Sequence, residues 1–153
     1  MIAIDRVSLL ADVPGSTTLR ACEEQLRAHG LTLGLEVEAG AQTIAAWIAQ
    51  GAKGARDPWL DPADHLLAGL EATLHDGRAF TIRPSPRRAV GPDLVALVVG
   101  AEERFATITR VWLRVHPRDV QRPAAALEIA RNPALNDGET ALLAAIEAAL
   151  RNP

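Results

Sequence analysis

Side chains able to do chemistry are few in this sequence and are scattered along it. Asp61, Asp64 and His65 come closest to an acid–base set, with a carboxylate near enough to orient an imidazole. Asp61 precedes a proline and Asp64 stands beside a turn, however, and aspartate at such positions ordinarily caps or terminates an element. Glu102-Glu103-Arg104 reads as a solvated turn. The four histidines, His29, His65, His75 and His116, have no second His or Cys at metal-ligand spacing. Cys22 is the single cysteine and has no partner for a disulfide or a zinc set, so no metal is expected. Fifteen of the 16 basic residues are arginine, a compositional bias that would make an anion-binding surface only if several converged. Trp47, Trp59 and Trp112 lack the regular spacing of a base-stacking platform, which argues against nucleic acid.

The elements that must hold these residues are those of an ordinary folded domain. The chain has 153 residues, 48% hydrophobic and 23% charged, enough to bury a core without staples. The formal charge of -3 comes with no block of like charge, against a polyanion partner or a polybasic membrane anchor. The opening residues carry Asp5 and Arg6 too early for a signal peptide, and no apolar run could span a bilayer, so a cytoplasmic location is expected.

Val7 to Val13 reads as a strand closed by Pro14-Gly15. Ser16 or Thr17 then caps a helix with Leu19, Cys22 and Leu26 on one face, and Gly30 suits a left-handed C-cap. Leu31, Leu33 and Leu35 alternate as a strand, and Ile44, Trp47 and Ile48 mark a short helix within 42–50. A long loop covers 51–64, Leu66 to Leu74 and Ala79 to Ile82 flank an Asp-Gly turn, 83–90 is a second loop, and Gly91-Pro92-Asp93 opens another short helix. In 105–115, Thr107, Thr109, Val111, Leu113 and Val115 alternate with the intervening residues and are expected to face the core. Pro123 to Ala130 and Asp137 to Arg151 read as helices, the second with an apolar stripe of Leu142, Leu143, Ile146, Ala149 and Leu150. No internal repeat is apparent. The expected core is Leu19, Leu26, Leu33, Ile48, Leu70, Leu74, Leu97, Val111, Leu113 and Ile146. This order of elements describes an α+β domain.

Three stretches together resemble a known family: LRAHGLTLGLEVEAGAQTIAAWIAQGAKGARDPW, DHLLAGLEATLHDGRAF and PRRAVGPDLVALVVGAEERFATITRVWLRVHP. They are similar to the second subdomain of the FAD-binding domain in the vanillyl-alcohol oxidase and p-cresol methylhydroxylase superfamily, most of all to the FAD-binding subunit of glycolate oxidase. The resemblance runs over residues 7 to 117 and implies a domain at 1–117 with a helical extension at 118–153 that packs on it or on a partner. It implies FAD as the cofactor of an FAD-linked oxidase or dehydrogenase. Flavin-facing backbone is implied at Thr43, Ile44, Ala45, Ala46, Gly51 and Gly54, and Ile108 is implied at the adenine end.

The sequence also departs from the pattern. Paired glycines of the family are Ala45 and Ala46 here, and its "GSeGtLG" is Gly100-Ala101-Glu102-Glu103-Arg104-Phe105-Ala106. The subdomain whose Gly-rich loop holds the FAD pyrophosphate would lie before residue 7, and no G-x-G-x-x-G occurs in the chain. The cap domain that bears substrate groups has no counterpart in 118–153. An autonomous enzyme is therefore not expected, and no catalytic residue is assigned; His65 and His116 match framework positions. Two expectations follow: a flavin domain completed by a partner chain that supplies the pyrophosphate loop, or a flavin-free domain kept as an interaction module, with a homo-oligomer through 137–150 as one form.

Overall fold

The period-two stretch near residue 110 becomes the middle of a sheet. The structure, a computed structural model, describes residues 1–35, 40–54, 66–84, 94–119 and 137–151. Its strands are β1 (Ala3–Asp5), β2 (Leu10–Pro14), β3 (Leu31–Thr32), β4 (Leu67–Leu74), β5 (Ala79–Ile82), β6 (Ala106–Arg114) and β7 (His116–Pro117). Helices are α1 (Leu19–Ala28), α2 (Ile44–Ala49) and α3 (Asp137–Arg151), with a 3-10 turn at Leu94–Leu97. Five strands form one antiparallel sheet in the order β1-β2-β6-β4-β5, and β3 pairs with β7 apart from it. The expected α+β class is what the chain adopts.

The core lies between this sheet and the first two helices. From α1 it takes Leu19, Cys22 and Leu26, from α2 Ile44, Trp47 and Ile48, and from the strands Val13, Leu70, Val111 and Leu113. Burial of such side chains is the main favourable term in folding, about 25 cal/mol per Å² of apolar surface. One carboxylate is buried with them. Glu23, 4% exposed, accepts from the Thr32 hydroxyl, from Leu33 N–H at 3.0 Å and from Arg27 Nε at 3.3 Å, tying α1 to the chain that follows it.

Several expectations need correction. Val7 to Val13 is not one strand: Asp5 accepts from the N–H groups of Val7 (2.9 Å) and Ser8 (3.1 Å), and this local turn leaves Val7 95% exposed. The strand predicted over Leu31 to Leu35 stops at Thr32, because Leu33 N–H goes to Glu23 and Gly34, at φ +69°, donates back to the Thr32 hydroxyl. The cap of α1 is Thr18, not Ser16 or Thr17.

The alternation in β6 holds only in its second half. Glu71 pairs with Arg110 and Ala72 with Ile108, so Thr109 is an extra residue in the ladder. The bulge flips the phase: Ala106 and Ile108 are buried with Val111 and Leu113, whereas Thr107 and Thr109 are exposed. Leu74, Leu97 and Ile146 of the expected core are only half-buried. The helix 137–151 forms, yet its stripe is largely open, with Leu142 61% exposed and Leu143 and Ile146 half-buried. Glu147 of this helix pairs with Arg104 at 2.8 Å. The helix expected at 123–130, the loop residues Asp61, Asp64 and His65, and Gly91-Pro92-Asp93 lie outside the described residues.

Candidate functional site

The flavin-facing residues expected from the sequence gather around the short buried helix α2. Its N-cap is Thr43, whose hydroxyl accepts from Ala46 N–H at 3.2 Å. Ile44 and Ala45 are buried, Thr43 and Ala46 half-buried. Ile108 reaches the same place through Gly15: an ideal Cβ on Gly15 would stand 2.6 Å from the Ile108 carbonyl oxygen and 3.2 Å from the Ala45 Cβ. Five of the seven expected residues, Thr43, Ile44, Ala45, Ala46 and Ile108, are thus brought to the N-terminal end of α2.

Gly51 belongs to the opposite end. It takes φ +84°, donates to Ile48 O at 2.9 Å, and is followed by Ala52 donating to Trp47 O at 2.9 Å, the two bonds of a Schellman stop. The next turn is pinned by the Trp47 indole N–H, which donates to Lys53 O at 2.9 Å, and ends at Gly54 with φ +82°. Against this end sits the 100–104 turn: Gly100 N–H donates to Ile48 O at 3.1 Å and Glu102 N–H to Ala49 O at 2.9 Å, so the last carbonyls of α2 are occupied. Glu102 and Glu103 hold φ +51° and +60°, left-handed values that glycine adopts at less cost. His75 Nε2 lies 2.8 Å from Arg104 O on the far side of the turn.

The N-terminal end of α2 carries a feature missed in the sequence. Gly15-Ser16-Thr17-Thr18-Leu19 and Gly40-Ala41-Gln42-Thr43-Ile44 both read G-x-x-T followed by an aliphatic residue. In the structure the two segments face each other, with Thr18 bridged to Thr43. Leu19 and Arg20 donate to the carbonyls of Gln42 (2.9 Å) and Gly40 (3.0 Å), while Ile44 and Ala45 donate to those of Thr17 (2.8 Å) and Gly15 (2.9 Å). Each threonine hydroxyl accepts from the third helical N–H, Ala21 or Ala46, at 3.2 Å. Each threonine carbonyl accepts from the fourth, Cys22 or Trp47, at 2.9 Å. Two helix N termini, which would repel as like partial charges, are held together by the carbonyls of each other's lead-in loops. The repeated motif was visible, but five residues repeated once are too little to single out without seeing them meet.

The chemistry available here is recognition more than reaction. Burial, reinforced by the neighbouring Glu23 charge, pushes the Cys22 thiol up to about 12, so it is not a nucleophile or a flavin attachment point. Among the described residues no group of three or more His, Cys, Asp or Glu could hold a metal ion, and no helix is long and apolar enough to cross a membrane. The diphosphate of FAD asks for a set of free N–H donors. The first-turn amides of α1 and α2 do not fit that need, because each already has an acceptor inside the chain.

Comparison with known proteins places this arrangement. A family profile described as an FAD binding domain matches residues 1–83. Over 116 residues the chain is 28% identical to an uncharacterized FAD-linked oxidoreductase, YgcU, of Escherichia coli strain K12, covering 75% of this chain and 24% of that protein. It is 27% identical over 118 residues to a D-lactate dehydrogenase of Archaeoglobus fulgidus, covering 76% of this chain and 27% of the relative. A solved structure of alkyldihydroxyacetonephosphate synthase superposes with a TM-score of 0.63 at 19% identity, over 75% of this chain and 20% of that one, a likeness of fold. The chain therefore spans about a quarter of the length of the curated relatives it matches.

Proposed function

The chain belongs to the FAD binding domain family, and from that premise we propose that it forms one wall of the flavin site of an FAD-linked oxidoreductase. The flavin, when bound, supplies the redox chemistry, and the polypeptide supplies position and surroundings. In this reading Thr43, Ile44, Ala45, Ala46 and Ile108 line one stretch of the wall, Gly51 and Gly54 another, and a partner chain brings the diphosphate loop. Residues 118–153 act as an extension of the 1–117 domain. The observation that carries the reading, beside the family match, is the retained left-handed backbone of the 100–104 turn. It keeps a glycine-like shape at Glu103, φ +60°, although glutamate stands there in place of the family's glycine.

A second reading, a flavin-free interaction module, is favoured by α3. Ala141, Leu142, Ala144, Ala145, Ala148 and Ala149 are exposed along it, a face that carries no charge. Purification from the source cell under mild conditions, with visible absorbance and mass in solution measured together, separates the two. The flavin reading expects a colourless chain by itself and a flavin spectrum in a complex with a second chain. A stable complex or homo-oligomer without flavin would refute it in favour of the interaction module.

A further inference from the structure

We infer that the free edge of β1 is a self-association site, at which a second copy of this chain pairs its own β1 antiparallel and the two sheets run on as one. The inference goes beyond the flavin-wall reading and does not rest on it. Among the described residues β1 pairs only with β2, so alternate N–H and C=O groups along it point away from the sheet, a template for another strand. The two edges of the sheet are built differently. β5 stands between Arg78 and Pro84, a charge and a proline of the kind that blunt an edge. Along β1 and its lead-in, Ile2, Ala3 and Ile4 carry no charge, and the Asp5 carboxylate at the turn end is spent on the N–H groups of Val7 and Ser8. Met1 and Val7, both exposed large hydrophobics, flank this stretch.

The occupant is read from the strand itself. Ile2-Ala3-Ile4 is the same in both directions, which is what an isologous two-fold contact needs. With Ala3 on the axis, Ala3 meets Ala3 of the second copy and Ile2 meets Ile4 on either side. The axis stands normal to the joined sheet, so both cores lie on one face. Ile4 lies opposite the fully buried Ala11, and Ile2 and Ile4 pack against the core yet stay half-buried. An isoleucine of the second copy beside each continues that row and takes apolar surface from water. Asp5 comes opposite Met1, and the two copies of Asp5 stand about 14 Å apart along the strands, beyond the Debye length at physiological salt. Pairing over residues 1–5 falls well short of the roughly 20–30 residues a side of a standard interface, so this dimer comes apart on dilution. That sets it apart from the stable assembly that would decide against the flavin reading.

Two measurements on the full chain test this. Sedimentation of the wild type is expected to show a mass rising from 16.3 kDa toward twice that value in the upper micromolar range. Ala3 is exposed, so it can be changed without disturbing the monomer. Ala3→Lys puts like charges directly opposite each other across the axis and is expected to weaken the dimer about fivefold or more, while Leu142→Lys, on α3, leaves it unchanged. The second measurement is oxidative cross-linking of Ala3→Cys. Cys22 is buried with its thiol pushed up to about 12, so the added cysteine is the reactive one. Ala3→Cys is expected to form a covalent dimer at least about tenfold faster than Val7→Cys, whose two copies would stand roughly 20 Å apart although Val7 is 95% exposed. A chain monomeric up to about 1 mM, equal cross-linking at the two positions, or a dimer weakened by Leu142→Lys and not by Ala3→Lys would overturn the inference.

Discussion

Gly15 and Gly40 hold equivalent places in the lead-in loops of α1 and α2, yet the structure gives them opposite sensitivities to a single methyl group. An ideal Cβ on Gly15 meets Ile108 O at 2.6 Å, Thr109 O at 3.2 Å and Ala45 Cβ at 3.2 Å, while one on Gly40 meets nothing within 4 Å. Neither glycine is among those with positive φ, so the difference is one of space. The obstacle at Gly15 is backbone, not the movable end of a side chain. Relief means shifting the bulge or giving up the bond of Gly15 N–H to Thr109 O or of Ala45 N–H to Gly15 O. Overpacking costs about 1–3 kcal/mol and a lost hydrogen bond about 1 kcal/mol, so Gly15→Ala is expected to destabilise by roughly 2–4 kcal/mol. In a protein of this size that lowers Tm by roughly 5–15 °C. Gly40→Ala is expected to be neutral or to stabilise by about 0.5 kcal/mol, because alanine narrows the unfolded ensemble. Urea denaturation of both variants, with m compared to wild type, is the assay. Equal effects of the two substitutions, or a Gly15→Ala protein within about 0.5 kcal/mol of wild type, would refute the close approach of Gly15 to the β6 bulge.

Other consequences follow from single residues. Glu23→Ala leaves the buried Leu33 N–H without its acceptor and should cost about 2–4 kcal/mol by urea denaturation, with Glu23→Gln, which keeps an acceptor, losing less. Glu103→Gly removes a left-handed φ of +60° worth about 1–2 kcal/mol and adds back about 0.4–1 kcal/mol of unfolded-chain entropy, so a net gain of about 0.5–1 kcal/mol is expected in Tm measurements. The Cys22 thiol is raised from 9.0 to about 12 by burial, so the unfolded chain loses this proton first as pH rises. Its contribution is complete below pH about 9 and is lost toward pH 12 at up to about 1.4 kcal/mol per pH unit, read from denaturation midpoints against a Cys22→Ala control.

Residue types and periodicity along the chain determined the class of fold, the two helices that floor the sheet, the hairpin at Asp76-Gly77, the central strand and the C-terminal helix. These depend on interactions within a few residues: an apolar face repeating with the helix, a pair of turn residues, an alternation of side chains. Ordered similarity to a family singled out Thr43 to Ala46, Gly51, Gly54 and Ile108 as candidates, and the structure sets them around the two ends of α2. What only the tertiary structure decided depends on partners distant in sequence. The phase of β6 flips because Thr109 is left out of the ladder between Ile108 and Arg110 on one side. On the other side its carbonyl is taken by Gly15, ninety-four residues earlier, and no local pattern encodes that bond. The ends of α1 and α2 looked like two ordinary threonine caps, each leaving its first two helical amides to be satisfied. That each satisfies these amides of the other is a property of their meeting, set by the packing of both helices on one sheet.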